Sequence, residues 1–175
     1  MDFDRVLRML TDFFGEIGTE WGVIGGLAMA VHGSSRTTLD VDIVVHADIQ
    51  DRLIRFLQSQ GFETLHRSTG YSNHLHVDPD LGRVDVVYVS GDTSRQIIEN
   101  MHDYPGPGGM KISVPRPEHL AAMKAYSIKN DPERTLRELA DIRVLLDAPG
   151  VDREEITSYF VRYGLEELLD RLYEN

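Results

Sequence analysis

The chain contains no cysteine among its 175 residues. Without thiols it has no disulfide framework, no cysteine-ligated zinc site and no thiol nucleophile. Long apolar runs are also missing, since none approaches the roughly 18 residues that a membrane-spanning helix needs. We therefore expect a cytoplasmic protein with no membrane partner. A chain of this length suits one domain, or a compact core with a helical extension.

Positive charge is scarce as well. The sequence has 18 basic and 29 acidic side chains, which gives a net charge of -11. An acidic surface repels the phosphate backbone of nucleic acids unless its basic residues cluster locally. Nonspecific DNA binding is therefore disfavoured.

The apolar pattern predicts a chain that mixes helices and strands. In the N-terminal half, a helix over residues 4–14, broken by Gly15 and Gly18, precedes a strand over 21–24, a tight turn, a helix over 27–31, a strand over 41–45 and a helix over 49–60. Further strands are predicted over 64–66, 73–77, 83–89 and 111–114, with a hairpin turn at 79–82, a short helix at 92–100 and a loop at 105–109. From residue 117 onward the pattern is helical, with helix starts at Pro117, Asp131 and Asp152.

Two acids interrupt the apolar strand at residues 41–45. The sequence reads Ile24-Gly25-Gly26, then thirteen residues, then Asp40-Val41-Asp42-Ile43. Residues two apart on a strand face the same side, so the carboxylates of Asp40 and Asp42 project in parallel and repel each other unless a cation compensates them. Oxygen-only ligands of this kind select Mg²⁺ or Mn²⁺, which in turn bind phosphates.

Two other features belong with this pair. The glycines Gly25 and Gly26 allow the backbone to approach a phosphate closely, and amides at the following helix start can donate to its oxygens. Asp85 is a third acid in an apolar strand, Arg83-Val84-Asp85-Val86-Val87. If that strand neighbours the first, Asp85 completes a cluster of three carboxylates, and it is then the candidate general base that takes the acceptor proton.

These residues resemble the signature of the DNA polymerase β-like nucleotidyltransferases: an apolar residue, Gly, Gly or Ser, a spacer of about nine to thirteen residues, then Asp-apolar-Asp. The resemblance implies an α/β (α+β) fold with a small mixed, mostly antiparallel sheet flanked by helices, followed by a C-terminal helical segment. It implies a catalytic core at residues 1–115 and a helical extension packed on it at 116–175. It also implies transfer of an NMP from an NTP to a hydroxyl acceptor, with Asp40, Asp42 and Asp85 as catalytic metal ligands.

Within this group the chain resembles the minimal, toxin-associated (abortive-infection) branch. Arg36-Thr37-Thr38-Leu39-Asp40 resembles that branch's approach to the acidic pair, and Glu118-His119-Leu120, Lys124 and Asp141 resemble its later motifs. There the lysine contacts the triphosphate and the aspartate supports it. Some members have serine where this chain has Gly26, so a phosphate contact here falls to backbone amides or to Ser34 or Ser35. The implied nucleotide-binding set is Gly25, Gly26, Ser34, Ser35, Arg36, Lys124 and Asp141.

Several alternatives remain open at this stage. Asp40 and Asp42 could face solvent, Lys124 could snorkel past the core, and Asp141 could pair with Arg137 one turn back. For His74 and His76 an ordinary sheet surface is favoured over a metal site. The acceptor is a small molecule, a protein side chain or a tRNA end. The alternative function is a catalytically idle module that binds a nucleotide or partner, of antitoxin or regulatory type.

Overall fold

Seven strands and eight α-helices form in residues 1–173, the part of the chain that the computed structural model describes. The helices are α1 (Phe3–Ile17), α2 (Gly25–Val31), α3 (Gln50–Ser59), α4 (Gly91–Ile98), α5 (Pro117–Asn130), α6 (Thr135–Leu146), α7 (Arg153–Tyr163) and α8 (Leu169–Tyr173). The strands are β1 (Trp21–Ile24), β2 (Asp40–His46), β3 (Phe62–Arg67), β4 (Tyr71–His76), β5 (Arg83–Val89), β6 (His102–Pro105) and β7 (Lys111–Val114). Within this described part, no helix is both long and apolar enough to cross a membrane.

Five strands form one sheet in the order β1-β2-β5-β4-β3. Strands β2 and β5 run parallel, and the other neighbours are antiparallel. The remaining strands, β6 and β7, form a separate antiparallel pair. This arrangement confirms the predicted fold class, a mixed and mostly antiparallel sheet with flanking helices. The predicted hairpin is also confirmed, because β4 and β5 are antiparallel neighbours.

Strand β2 has an apolar face and an acidic face. Val41, Ile43 and Val45 are fully buried, whereas Asp40 and Asp42 alternate with them and are partly exposed. Alternate side chains of a strand point to opposite faces, so the acids lie on the face opposite these three apolar residues. The core fixes the register of β2, since a slip by one residue would bury the carboxylates.

Helix α1 shows how its ends are set. The Asp2 side chain accepts a hydrogen bond from the Arg5 N–H at the start, and Gly18 ends the helix in a left-handed conformation with φ 63°. The expectation that Gly15 would break this helix was wrong. An interior glycine costs only about 1 kcal/mol, and five buried apolar side chains outweigh that cost, namely Val6, Leu7, Leu10, Phe13 and Phe14.

The chain divides into two compact units. The sheet unit consists of residues 1–28 and 36–115, and the helical unit consists of residues 29–35 with the chain from Arg116 onward. The assignment of 1–115 to a catalytic core and of 116–175 to an extension stays a prediction, and residues 174 and 175 lie outside the described part.

In the helical unit, α5 packs against α6 and α7. Two predicted caps are confirmed. The Asp131 side chain accepts from the Glu133 N–H, and the Asp152 side chain accepts from the N–H groups of Glu154 and Glu155. After Asp131 the chain first makes a 3-10 turn at Pro132–Arg134, so α6 begins only at Thr135.

Candidate metal and nucleotide site

Three carboxylates from two strands meet on the acidic face of the sheet unit. Asp40 and Asp42 come from β2 and Asp85 from β5, and each offers a ligand oxygen within 4.8 Å of the others. The parallel register places Asp42 directly beside Asp85. All three side chains are partly exposed. We call this cluster of Asp40, Asp42 and Asp85 the triad.

Gly25 and Gly26 form the corner between β1 and α2, and two side chains of the site pack against them. A Cβ atom on Gly25 would lie 1.9 Å from Oδ2 of Asp42, and Gly25 also has a φ of +60°. A Cβ atom on Gly26 would lie 2.4 Å from Cβ of Thr38. Only glycine therefore fits at either position without a shift of its neighbour.

Thr38 connects this corner to the triad. Its hydroxyl donates a hydrogen bond of 2.6 Å to Oδ1 of Asp40. A serine at position 26 would collide with the side chain that makes this bond. The glycine at this position, where some members of the resembled group have serine, thus has a packing reason in this chain.

Two residues that the sequence analysis did not assign to the site hold Asp85. The Arg83 Nε donates to Oδ1 of Asp85 at 2.7 Å, and the Asn73 side-chain amide donates to the same oxygen at 2.8 Å. The hydrogen bond to Asp85 is the main reason that the pKa of Arg83 is raised, and the charges of all three acids add to it against an opposing effect of burial. Arg83 could have been found from sequence, because it lies two residues before Asp85. Asn73 required knowledge of the β4–β5 register.

The residues present fit a divalent cation. Three carboxylates within 4.8 Å of one another form an oxygen-only donor set on the partly exposed side of the sheet. Such a set suits Mg²⁺ or Mn²⁺, whose positive charge offsets the mutual repulsion of the acids. Of the predicted nucleotide-binding residues, Gly25 and Gly26 adjoin the triad through Asp42 and Thr38.

Ser34, Ser35 and Arg36 lie in the segment that joins α2 to β2. Ser34 and Arg36 are partly buried and Ser35 is exposed. The Ser34 N–H is used by the chain itself, since it donates to the carbonyl oxygen of Met29. A phosphate contact from Ser34 would therefore come from its side chain.

Lys124 and Asp141 lie in the helical unit and pair with each other. The Lys124 Nζ lies 2.5 Å from Oδ2 of Asp141 and 2.9 Å from Oε2 of Glu138. Arg134 also donates to Glu138, which is only 3% exposed. Lys124 is 12% exposed, so its ammonium group ends between buried carboxylates rather than in solvent. Glu138 was missed by the sequence analysis, because its role depends on the packing of α5 against α6.

Glu118, which the sequence analysis noted only as part of a motif, is a buried anchor of the helical unit. It accepts hydrogen bonds from the Asp152 N–H at 2.8 Å and from Arg116 Nε at 3.1 Å. Burial acts to raise the pKa of Glu118, but these hydrogen bonds and the Arg116 charge outweigh it, so the pKa lies below its ordinary value. Glu118 therefore ties the start of α5 to the cap of α7.

The expectation of an ordinary sheet surface at His74 was wrong. The His74 side chain is fully buried, and its ring nitrogens bond to the hydroxyls of Ser72 at 2.8 Å and Thr64 at 3.2 Å. Ser72 bonds in turn to the Tyr88 hydroxyl at 2.7 Å. Burial lowers the pKa of His74. A polar network thus replaces apolar packing here, on the face of the sheet away from Asp85.

Comparison with known proteins gives a similarity in fold. No family model matches the chain, and no curated protein matches it. The solution structure of the antibiotic-resistance factor ANT(2″)-Ia is 11% identical in sequence and has a TM-score of 0.69. The match covers 98% of this chain and 97% of the ANT(2″)-Ia chain. ANT(2″)-Ia in complex with adenylyl-2″-tobramycin is 10% identical, with coverage of 91% and 95% and a TM-score of 0.66. The lincosamide antibiotic adenylyltransferase LnuA, bound to lincomycin, is 17% identical, with coverage of 82% and 96% and a TM-score of 0.57. The chain thus has the fold of nucleotidyltransferases.

Proposed function

We propose that the protein is a metal-dependent nucleotidyltransferase, which moves an NMP from an NTP to a hydroxyl acceptor and releases pyrophosphate. One observation carries the proposal: β2 and β5 bring three carboxylates within 4.8 Å of one another on a nucleotidyltransferase fold. A fold alone does not define an activity, so the proposal depends on this cluster of carboxylates.

The roles of the acids follow from their surroundings. Asp40, Asp42 and Asp85 would hold Mg²⁺ or Mn²⁺, and bound metal would align the triphosphate and neutralise charge on the leaving pyrophosphate. Asp85 is also the proposed general base. Its Oδ1 already accepts from Arg83 and Asn73, so the acceptor proton would go to Oδ2. The acceptor oxygen then bonds to the α-phosphorus as the bond from that phosphorus to the pyrophosphate oxygen breaks.

The proposed nucleotide contacts come from the resemblance. Gly25 and Gly26, the first residues of α2, lie beside Asp42 and Thr38 and would offer backbone amides. Ser34, Ser35 and Arg36 would add hydroxyl and guanidinium donors. Lys124 would contact the triphosphate, with Asp141 holding its ammonium group at 2.5 Å.

The proposed acceptor class is a small, hydroxyl-bearing and positively charged molecule. The net charge of -11 attracts cations and disfavours RNA or DNA backbones. Two proteins with a similar fold are named with antibiotics, ANT(2″)-Ia with adenylyl-2″-tobramycin and LnuA with lincomycin. A protein side chain and a tRNA end are the other acceptors to be tested, as the resemblance to the toxin-associated branch would favour them.

One observation favours a second candidate, an idle module that binds a nucleotide or a partner. Arg83 already forms an ion pair with Asp85. Such an ion pair would be expected in a site that no longer binds metal. Such a module would bind an NTP without consuming it. The two candidates therefore differ in turnover and not in binding.

The test is transfer of a labelled nucleotide. The protein is incubated with each α-labelled NTP and Mn²⁺, with tobramycin, lincomycin, the protein itself or tRNA as acceptor. We expect label on an acceptor with the wild type and only a trace with Asp40→Asn or Asp42→Asn. Asp48→Asn is the matched control, because Asp48 is an exposed acid just beyond β2. Undiminished transfer by Asp42→Asn would refute the proposal, and NTP binding without any transfer would favour the idle module.

A further inference from the structure

Arg83 is a positive charge built into the acidic site. Its Nε lies 2.7 Å from Oδ1 of Asp85, and its Cα pairs with that of Asp40 on the neighbouring strand. The side chain is 44% exposed and that of Asp85 is 19% exposed. Because strand residues two apart share a face, Arg83 projects on the same side of β5 as Asp85.

The net charge of the site changes as metal ions and then a nucleotide bind. The three ionised carboxylates and the Arg83 guanidinium together carry two negative units, which one divalent cation balances. A second divalent cation would bring these groups and the two metals to a net charge of two positive units. A triphosphate brings about four negative charges and removes that penalty. Without Arg83 the empty site would be one unit more negative and would attract the first cation more strongly.

We propose that Arg83 is a resident counter-ion of the triad, which holds Asp85 in place before metal arrives and weakens divalent-cation binding to the nucleotide-free protein. Metal loading is thereby coupled to the arrival of the NTP. This inference rests on the proposed function only in taking the triad as a metal site. It also explains why a guanidinium within the acidic cluster need not mean an idle protein.

Asn73 makes the two tasks of Arg83 separable. Its amide donates to the same oxygen of Asp85 at 2.8 Å, so part of the orientation of Asp85 survives when Arg83 is replaced. The charge of Arg83 has no such duplicate in this contact, since Asn73 is neutral. A substitution that keeps a donor and removes the charge thus tests the counter-ion role.

The experiment compares Arg83→Gln, which removes the charge, with Arg83→Lys, which keeps it. Mn²⁺ is titrated by calorimetry into nucleotide-free protein. A unit positive charge about 5 Å from a divalent ion in a water-like medium weakens binding on the order of tenfold. We therefore expect Arg83→Gln to bind Mn²⁺ about ten times more tightly than the wild type, with Arg83→Lys close to the wild type. Arg52→Gln is the matched control, because Arg52 is exposed on α3 and its loss changes net charge equally.

Thermal unfolding gives a second readout. In EDTA the melting temperature of Arg83→Gln should fall below that of the wild type, since Asp85 loses its ion pair with Arg83. Added Mn²⁺ should raise it more than it raises the wild type, because a tighter ligand stabilises more. With a non-hydrolysable ATP analogue present, the tenfold difference in Mn²⁺ affinity should shrink.

The outcomes separate this inference from the proposed function. Equal or weaker Mn²⁺ binding by Arg83→Gln overturns the counter-ion role, even if nucleotide transfer is intact. Tighter binding by Arg83→Gln supports it, even if no acceptor is ever labelled. If neither the wild type nor Arg83→Gln binds Mn²⁺, the metal site and the counter-ion role both fall.

Discussion

The carboxylate of Asp42 packs directly on the backbone of Gly25. A Cβ atom at position 25 would lie 1.9 Å from Oδ2 and 2.4 Å from Cγ of Asp42. The glycine is therefore part of the acidic site as well as part of a turn. Any side chain at this position would displace the Asp42 carboxylate from its present position in the triad.

Gly25→Ala should lower both stability and cation affinity. An alanine at positive φ costs about 1–2 kcal/mol, and displacement of Asp42 adds to this cost. Gly18→Ala is the matched control, since Gly18 has a φ of 63° but nothing within 4 Å of a Cβ atom. We expect urea unfolding to show a larger loss for Gly25→Ala, and Mn²⁺ titration to show weakened binding for it alone. Equal behaviour of the two variants would mean that the contact with Asp42 is easily relieved.

Gly26→Ser should impair the protein through Thr38. The new side chain would begin 2.4 Å from Cβ of Thr38 and displace the hydroxyl that bonds to Asp40. Thr38→Gly removes all three Thr38 atoms that a side chain at position 26 would meet, so Gly26→Ser should cost less in that background than in the wild type. A double-mutant cycle measured by urea unfolding should give a coupling of about 0.5–3 kcal/mol. Additive effects would show that Gly26 and Thr38 act independently.

Lys124→Met should destabilise the helical unit strongly. It leaves Asp141 and Glu138 buried with one cation fewer, and breaking a buried ion pair from one side costs about 3–5 kcal/mol. Arg134→Met removes the other partner of Glu138, but Arg134 is 48% exposed, so about 1 kcal/mol or less is expected. Denaturant unfolding checks both values. Adding Asp141→Asn to Lys124→Met should restore part of the loss, and no recovery would argue against the ion-pair explanation.

Glu118→Gln should reveal a pH-dependent contribution to stability. The pKa of Glu118 is lowered from its ordinary value of 4.5 in the folded protein, so its stabilisation is present above that pH and is lost as pH falls through the folded pKa. At pH 7 we expect the variant to be about 1–3 kcal/mol less stable than the wild type. The difference should shrink as pH falls below 4.5. Glu16→Gln, at an exposed position of α1, should show no such trend.

The pairing of Asp40 with Asp42 could be predicted from sequence because it is local, whereas the position of Asp85 beside them depends on the pairing of β2 with β5. Asp40 and Asp42 are two residues apart in an apolar strand, and the alternation of β2 puts both on one face. The bounds of β1 and β7 were also predicted, since turn residues flank both apolar segments. Strand β6 was missed because His102-Asp103-Tyr104-Pro105 lacks apolar alternation, and its conformation comes from pairing with β7.

The partners of the site residues could not be predicted in the same way. Asn73 reaches Asp85, and Glu138 reaches Lys124, only through packing between elements that are distant in sequence. The burial of His74 could not be predicted from the sequence for a similar reason. Strand β4 has polar residues on both faces, so its pattern suggests exposure to solvent. In the structure the hydroxyls of Thr64 on β3 and Ser72 on β4 bond to the buried ring.

The parallel pairing of β2 with β5 also has a consequence for folding. Between them the chain must complete α3, β3 and β4, because β5 sits between β2 and β4 in the sheet. Asp42 and Asp85 thus become neighbours only once this long crossover is closed. A full-length chain in which β5 has not yet paired with β2 would carry all three acids and still lack the triad, so Mn²⁺ uptake would report that the sheet is complete.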